Sequence, residues 1–521
     1  MKKFIIAAAG LFLLASCSKS FLDKGPVDKK TIENFYKTPA DGMEALTAAY
    51  DGLQYGDYDN ITLVSEIASD NCFGGGGESD LPWKRWDRVE NDVNLNEGAW
   101  TRYYTGIYRA NILLAHLNDI DWGADSTLKV RYRAEARFLR AYFYFDLVRM
   151  FGNVPLVDHP LAPAELQMKQ AAPADVYKFI VEDLEAAAAD LKPVSYSAIP
   201  TSEYGRVTKW AAEALLGRVF LFYTGYYQQP DVAGVLTKAQ TRTYIDDVIN
   251  QSGYGLVDSF PTLWQSSRKA FVGEDNKETV FAIKFTYKGL GDWNKHDGNR
   301  MQVDIGIRNA VDTPYYKGWG AGTVTPKLWN SYETGDTRRG ATIISINDEK
   351  LGVPTPFPQY TGYFWKKYAM MYDDRPDQPS IGGDFQIDNY YDFVCIRFAD
   401  VLLMGAELNL DGDLAKAQGY YDRVRDRAFR NHSHTHTLTN DANGLQLIFK
   451  ERNLELALEG IRYWDLLRQG MTKTKAEIDN NSTDPQFQVT FRPETKGLFQ
   501  IPQQEISVSN GALVQNPGWS N

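Results

Sequence analysis

The sequence predicts a mainly α protein: helical pairs stacked into a superhelix, interrupted by one large irregular, loop-rich insertion with short strands. Three observations predict it. Apolar residues recur three and four apart in two long blocks, residues 30–252 and 396–521. Small residues repeat inside those helices. Between the blocks, residues 253–395 crowd Gly, Pro, Asp, Asn, Tyr and Trp together.

The periodicity places helices over 110–117, 134–150, 174–191 and 210–223 in the first block. Gly152-Asn153-Val154-Pro155, Lys192-Pro193 and Gly225 read as stop signals. In the second block it places helices over 396–410, 414–429 and 447–468. The short turn Asp411-Gly412-Asp413 makes the first two an antiparallel hairpin. Ala136-x-x-Leu139 with Ala141, Ala212-x-x-Leu215 with Gly217, and Ala399-x-x-Leu402 with Gly405 repeat one spacing. Small residues so placed let helices approach closely, as in degenerate tetratricopeptide pairs. Residues 279–287 read as strand-like, and Gly74 to Gly77 as a flexible loop.

The chain has 521 residues and a net charge of −11, which argues against a nucleic-acid partner, since neutralising phosphates needs clustered Lys and Arg. Three cysteines exclude a disulfide-built scaffold. The 31 Tyr and 12 Trp favour amphipathic binding surfaces, where a ring packs and its polar tip stays wet.

At the start, Lys2 and Lys3 precede an uninterrupted apolar run over residues 4–14, then Ala15, Ser16 and Cys17. Eleven helical residues rise roughly 16 Å, half a hydrocarbon core, so the run reads as an export signal and not a span. Leu14-Ala15-Ser16-Cys17 resembles a bacterial lipobox, which implies cleavage after residue 16 and acylation of Cys17 as the lipid anchor. Residues 17–29 would then be a tether. Cys72 and Cys395 remain. They could pair outside the cell, but Cys395 lies in the apolar run Phe393-Val394-Cys395-Ile396, which favours a buried thiol.

Two motifs invite chemistry. Glu451, Glu455 and Glu459 could suggest a glycosidase acid and base, but that chemistry needs carboxyls facing across a cleft. Ion pairs on a packed helix, such as Arg462 with Asp465 or Glu459, account for them better. His432, His434 and His436 alternate, which could suit a metal. They lack Cys or acidic companions and read as a solvated loop. No phosphate-binding or nucleophile-elbow motif occurs, so the sequence calls for no catalytic residue, no metal and no cofactor.

An ordered set of motifs resembles the SusD/RagB family of nutrient-binding outer-membrane lipoproteins of Bacteroidetes. Phe21-Leu22-Asp23 follows the cysteine. Then come Tyr104-Thr105-Gly106-Ile107-Tyr108-Arg109-Ala110-Asn111, and Glu135-Ala136-Arg137-Phe138-Leu139-Arg140-Ala141-Tyr142. Gly205-Arg206-Val207-Thr208-Lys209 and Ile396-Arg397-Phe398-Ala399-Asp400-Val401-Leu402-Leu403-Met404 continue the set. Glu459-Gly460-Ile461-Arg462-Tyr463-Trp464-Asp465-Leu466-Leu467-Arg468, Leu498-Phe499-Gln500-Ile501-Pro502 and Gln515-Asn516-Pro517-Gly518 complete it. The resemblance implies a SusD-like fold and a single fused body. It also implies a non-catalytic role: capture of an oligosaccharide at the cell exterior and delivery to a SusC-like TonB-dependent transporter. Alternatives are oligopeptide capture, as in RagB-like members, and a surface glycoside hydrolase. A sugar ring stacks its C–H face on Trp or Tyr while polar groups bond its rim. By position, the resemblance implies Asp70, Trp83, Trp86, Asn96, Trp293, Tyr316 and Trp319 as ligand residues.

Overall fold

The computed structural model describes residues 34–54, 60–77, 96–124, 126–264, 273–286, 298–374, 386–430 and 435–519. Cys17 and the export signal lie outside them, as do Trp83, Trp86, Trp293, His432 and His434.

The amino-terminal block is built from α1 (Pro39–Asp51), α2 (Ile61–Ala68), α3 (Glu97–His116), α4 (Ser126–Phe151), α5 (Pro173–Asp190), α6 (Lys209–Tyr227) and α7 (Lys238–Gln251). From α3 each helix packs on the next, and α7 then packs on the Phe398–Asn409 helix of the carboxyl-terminal block. That chain of neighbour contacts is the solenoid logic the small-residue repeat predicts. A Cβ on Gly217 would meet Ile245 at 2.5 Å, and one on Gly405 would meet Tyr420 at 2.8 Å. Gly225 differs from its sequence reading. It lies inside α6, where a Cβ would sit 2.7 Å from the Arg468 carbonyl, so it marks a close approach and not a stop. The helix ends three residues later, at Gln228, which has a left-handed backbone.

The middle region contributes α8 (Met301–Ile305), α9 (Pro326–Ser331) and α10 (Arg339–Thr342). The carboxyl-terminal block adds α11 (Phe398–Asn409), α12 (Leu414–Phe429), α13 (Ala442–Leu456), α14 (Arg462–Leu467), α15 (Met471–Ile478) and α16 (Gln503–Val508). Strands are short and pair in twos, all antiparallel: β1 (Val154–Pro155) with β2 (Gln170–Ala171), β4 (Ile343–Ser345) with β5 (Tyr363–Trp365), and β3 (Thr279–Ile283) with β6 (Phe393–Arg397). The β3–β6 pair brings the two sides of the irregular region together, with Thr279 opposite Arg397 and Ile283 opposite Phe393.

The helix expected over 396–410 begins at Phe398, because Ile396 and Arg397 belong to β6. The α11–α12 hairpin forms as expected, with Asp413 capping α12 through the Lys416 amide at 3.0 Å. The helix expected over 447–468 is broken. Leu458 (φ 65°) and Gly460 (φ 77°) turn the chain between α13 and α14. A Cβ at Gly460 would stand 2.8 Å from the Thr62 backbone, and its amide donates to Glu66 Oε1 at 2.9 Å.

Glu451, Glu455 and Glu459 are ion-paired, as the packed-helix reading expects, but with different partners and on a larger scale. Five buried cations, Arg338, Lys367, Arg397, Arg425 and Arg427, interlock with five buried carboxylates, Glu278, Asp336, Glu451, Glu455 and Glu459. Glu455 is the hub, bonded by Arg338, Arg397 and Arg427. Burial opposes its charge, yet those guanidiniums hold its carboxyl far below the usual range. The rings of Phe260 and Trp264 lie beneath Lys367 and Arg397. Asp465 pairs with Arg452 and Arg468, while Arg462 reaches Asp70.

The tail motifs are latches on α4. The Phe499 amide donates to the Met150 carbonyl at 2.8 Å, and Asn516 Nδ2 donates to Phe151 at 2.9 Å. Cys72 and Cys395 are both free and buried; burial pushes the Cys395 thiol up to about 12.

Candidate functional site

The irregular region gains order by lacing its backbone onto two flanks. On one flank the Trp319 amide donates to the Val303 carbonyl at 2.7 Å, Gly320 to Gly306 at 3.0 Å and Ala321 to Asp304 at 2.8 Å. On the other flank Phe73 donates to Thr323 at 2.8 Å, Gly76 to Gly320 at 2.8 Å, Gly322 to Gly74 at 2.7 Å and Thr325 to Asn71 at 2.9 Å. The glycine run is therefore not the free loop its composition suggests. Gly75 and Gly76 have φ of 65° and 74°, and a Cβ on Gly75 would stand 2.1 Å from the Gly320 carbonyl. Only glycine permits that approach. Gln359 Oε1 also accepts from the Gly75 amide at 3.0 Å.

This lacing holds Trp319, which is half-buried, on a fixed backbone. Its carbonyl accepts from Arg308 Nη1 at 3.2 Å. Tyr316 stands three residues earlier. Its amide donates to the Met370 carbonyl at 2.8 Å, and that of Tyr372 to Pro314 at 2.7 Å. The pairing sets the two phenol rings 5.3 Å apart at 35°. Tyr372 is 50% exposed and Tyr316 half-buried, while Met370, Tyr390 and Tyr391 form a small core behind Tyr316. Aromatic surface with polar tips, presented on a rigid backbone, suits the apolar face of a ring whose rim carries hydroxyls.

The structure thus brings Tyr316 and Trp319 onto one backbone segment and places other expected residues elsewhere. Asn96 precedes α3 and is 2% exposed, next to a core that includes Trp100. The backbone of Asp70 is at the far end of the same ladder, where its carbonyl accepts from Thr325 Oγ1. Its carboxylate is occupied: Arg462 donates to both oxygens, at 2.7 and 3.0 Å, and Lys327 lies 2.7 Å away. Burial alone would raise its pKa, but Arg462 and Lys327 lower it to about 2. Tyr372 and Arg308 were not singled out by the sequence. Their signal is weak, a tyrosine after two methionines and an arginine before Asn309, and only the pairing of 370–372 with 314–316 and the Arg308 bond to the Trp319 carbonyl make it visible.

His436 stands 3.3 Å from Glu333, and among the described residues no group of three His, Cys, Asp or Glu could hold a metal ion. No helix among them is long and apolar enough to cross a membrane.

Comparison with known proteins fits this architecture. The SusD family matches residues 342–519, and the family described as "Starch-binding associating with outer membrane" matches residues 20–221. A SusD-like protein of Bacteroides ovatus is 27% identical over 492 residues, covering 89% of this chain and 82% of its own. A solved laminarin-binding SusD-like protein superposes with a TM-score of 0.78 at 30% identity, covering 93% of this chain and all of its own. Surface glycan-binding protein A of Bacteroides thetaiotaomicron, solved with laminarihexaose, shares the fold at a TM-score of 0.78 and 23% identity, covering 92% of this chain and all of its own. The ordered motifs, the stacked helical pairs and these matches together make the chain a member of the SusD family.

Proposed function

We propose that this protein is a non-catalytic lipoprotein of the outer membrane that captures an oligosaccharide at the cell exterior and passes it to a SusC-like TonB-dependent transporter. Acylated Cys17 would anchor it. The observation that carries the reading is the Tyr316–Tyr372 ring pair with the half-buried Trp319 three residues further on, on a segment held by backbone bonds whose conformation Gly75 and Gly320 permit. Trp83, Trp86 and Trp293 complete the proposed ligand set. Relatives named for laminarin, starch and surface glycans support the same chemistry.

The carboxylates of the 451–459 motif favour binding without cleavage. A glycosidase needs carboxyls facing each other across a cleft, whereas Glu451, Glu455 and Glu459 are all buried in ion pairs with Arg338, Lys367, Arg397, Arg425 and Arg427. Titration calorimetry against a panel of neutral glycans and unstructured peptides tests the proposal. Saturable binding of a glycan supports it, and binding of peptides alone replaces it with peptide capture.

A further inference from the structure

A groove of about 540 Å³ opens at the Asp70 end of the ladder, between α9, α13, α14 and α15. That volume is in the range of ligand sites, about 300–1,000 Å³. Trp319 stands at the other end of the ladder: the six steps from Trp319 to Thr325 span at most about 20 Å.

Four cations line the groove, Lys327, Lys450, Lys473 and Arg462, against two carboxylates, Asp70 and Glu477. The carboxylates are saturated. Asp70 takes Arg462 and Lys327, and Glu477 takes Lys327 and Lys473, each at 2.7 Å. Both are held below their ordinary pKa against burial, Asp70 mainly by Arg462 and Glu477 by Lys327 and Lys473, so both stay ionised. Two positive charges remain in excess among the described lining residues, in a chain whose net charge is −11. Among the described residues Lys450 has only a 3.4 Å contact to Glu333, which does not line the groove.

Helix α13 adds a polar stripe. Asn443, Gln446, Lys450 and Asn453 are spaced three, four and three apart, so they share one helical face. Two of these amides are already oriented. Asn453 Oδ1 accepts from Asn71 at 3.1 Å, which leaves the Asn453 amide protons to donate. Gln446 Nε2 donates to Gln469 at 3.0 Å, which leaves Gln446 Oε1 to accept. Leu447, half-buried beside them, supplies apolar wall.

We infer that this groove is a second saccharide site, selective for an acidic oligosaccharide whose ring carboxylate sits between Lys450 and Lys473 and whose hydroxyls bond the amides of α13. An acidic peptide fits less well. The backbone of Asn71 is already paired with Thr325, and the other described walls are helical, so among the described residues no strand edge is open to a peptide main chain. The inference goes beyond the neutral-glycan reading and does not depend on it.

The test is titration of the full mature protein with trigalacturonate, laminarihexaose and tetra-aspartate, repeated for the Lys450→Glu/Lys473→Glu and Trp319→Ala variants. Trigalacturonate should bind saturably, lose tenfold or more affinity in the double variant, weaken with added salt and be indifferent to Trp319→Ala. Gln446→Ala, an exposed change, should weaken it several-fold with an unaltered melting curve. No saturable trigalacturonate binding at millimolar concentration, equal binding by the charge-reversed variant, or equal binding of tetra-aspartate would each overturn the inference. Loss of laminarihexaose binding in Trp319→Ala alone reports on the aromatic face separately.

Discussion

Arg397 donates to Glu455 twice, from Nη1 to the carboxylate at 2.8 Å and from Nη2 to the Glu455 carbonyl at 2.9 Å. One residue closes β6 and the other lies near the end of α13, so the pair ties the edge of the irregular region to the carboxyl-terminal helices. Both side chains are buried, and Arg427 and Arg338 share the same carboxylate.

Breaking such a group from one side leaves charge buried without a partner. Arg397→Met should therefore destabilise the protein by about 3–5 kcal/mol, while leaving the glycan affinity of the folded fraction unchanged. Chemical denaturation measures the first, and calorimetry below the unfolding midpoint the second. A loss under 1 kcal/mol would mean that the network relaxes around the gap.

Glu66 predicts a pH dependence. It is fully buried, and burial raises its pKa from 4.5 to about 7, despite bonds from Asn71 and the Gly460 amide. The folded state thus holds a proton that the unfolded chain releases, so the contribution of Glu66 to stability is complete below about pH 4.5 and is lost as pH rises towards 7. Glu213, raised to about 7 by burial, acts in the same direction. Asp70 and Asp400, lowered to about 2, contribute stability above their ordinary range that is lost only in stronger acid. Glu66→Gln should remove up to about 3 kcal/mol of the decline between pH 4.5 and 7. Denaturation at five pH values checks it, and parallel profiles would contradict it.

The ladder under Trp319 makes its own prediction. Gly75→Ala adds a methyl 2.1 Å from the Gly320 carbonyl, at a positive φ. It should shift the 71–76 and 320–325 segments and weaken glycan binding tenfold or more, with a smaller effect on global melting. Hydrogen exchange at the Gly322 and Phe73 amides should rise in the variant; unchanged protection would show that the methyl is absorbed.

The anchor is tested by fractionation. Cys17→Ala should move the protein from the membrane pellet to the soluble fraction, and retention in the pellet would refute acylation at that residue.

The helices were legible in the sequence because their signals are local: apolar spacing, small residues at close approaches, and a turn such as Asp411-Gly412-Asp413. The break between α13 and α14 was not. Nothing near Leu458 announces a left-handed residue until Thr62 and Glu66, almost 400 positions away, are seen against Gly460. The same distance explains the candidate site. Trp319 and Tyr316 could be named from aromatic composition and resemblance. Asp70 could be named too, but its pairing with Arg462 and Lys327 depends on three remote segments meeting. The glycine run shows the opposite error, since its composition reads as freedom and the 320–325 segment paired with it imposes order.

The most direct measurement is the binding isotherm of laminarihexaose and other neutral glycans to the wild type and to the Tyr316→Ala/Trp319→Ala variant, with reducing ends assayed in the same samples. Saturable binding of at least one glycan, a tenfold or greater loss in the folded variant, and no rise in reducing ends are expected. Glycan turnover, or undiminished affinity in the variant, would contradict the proposed function.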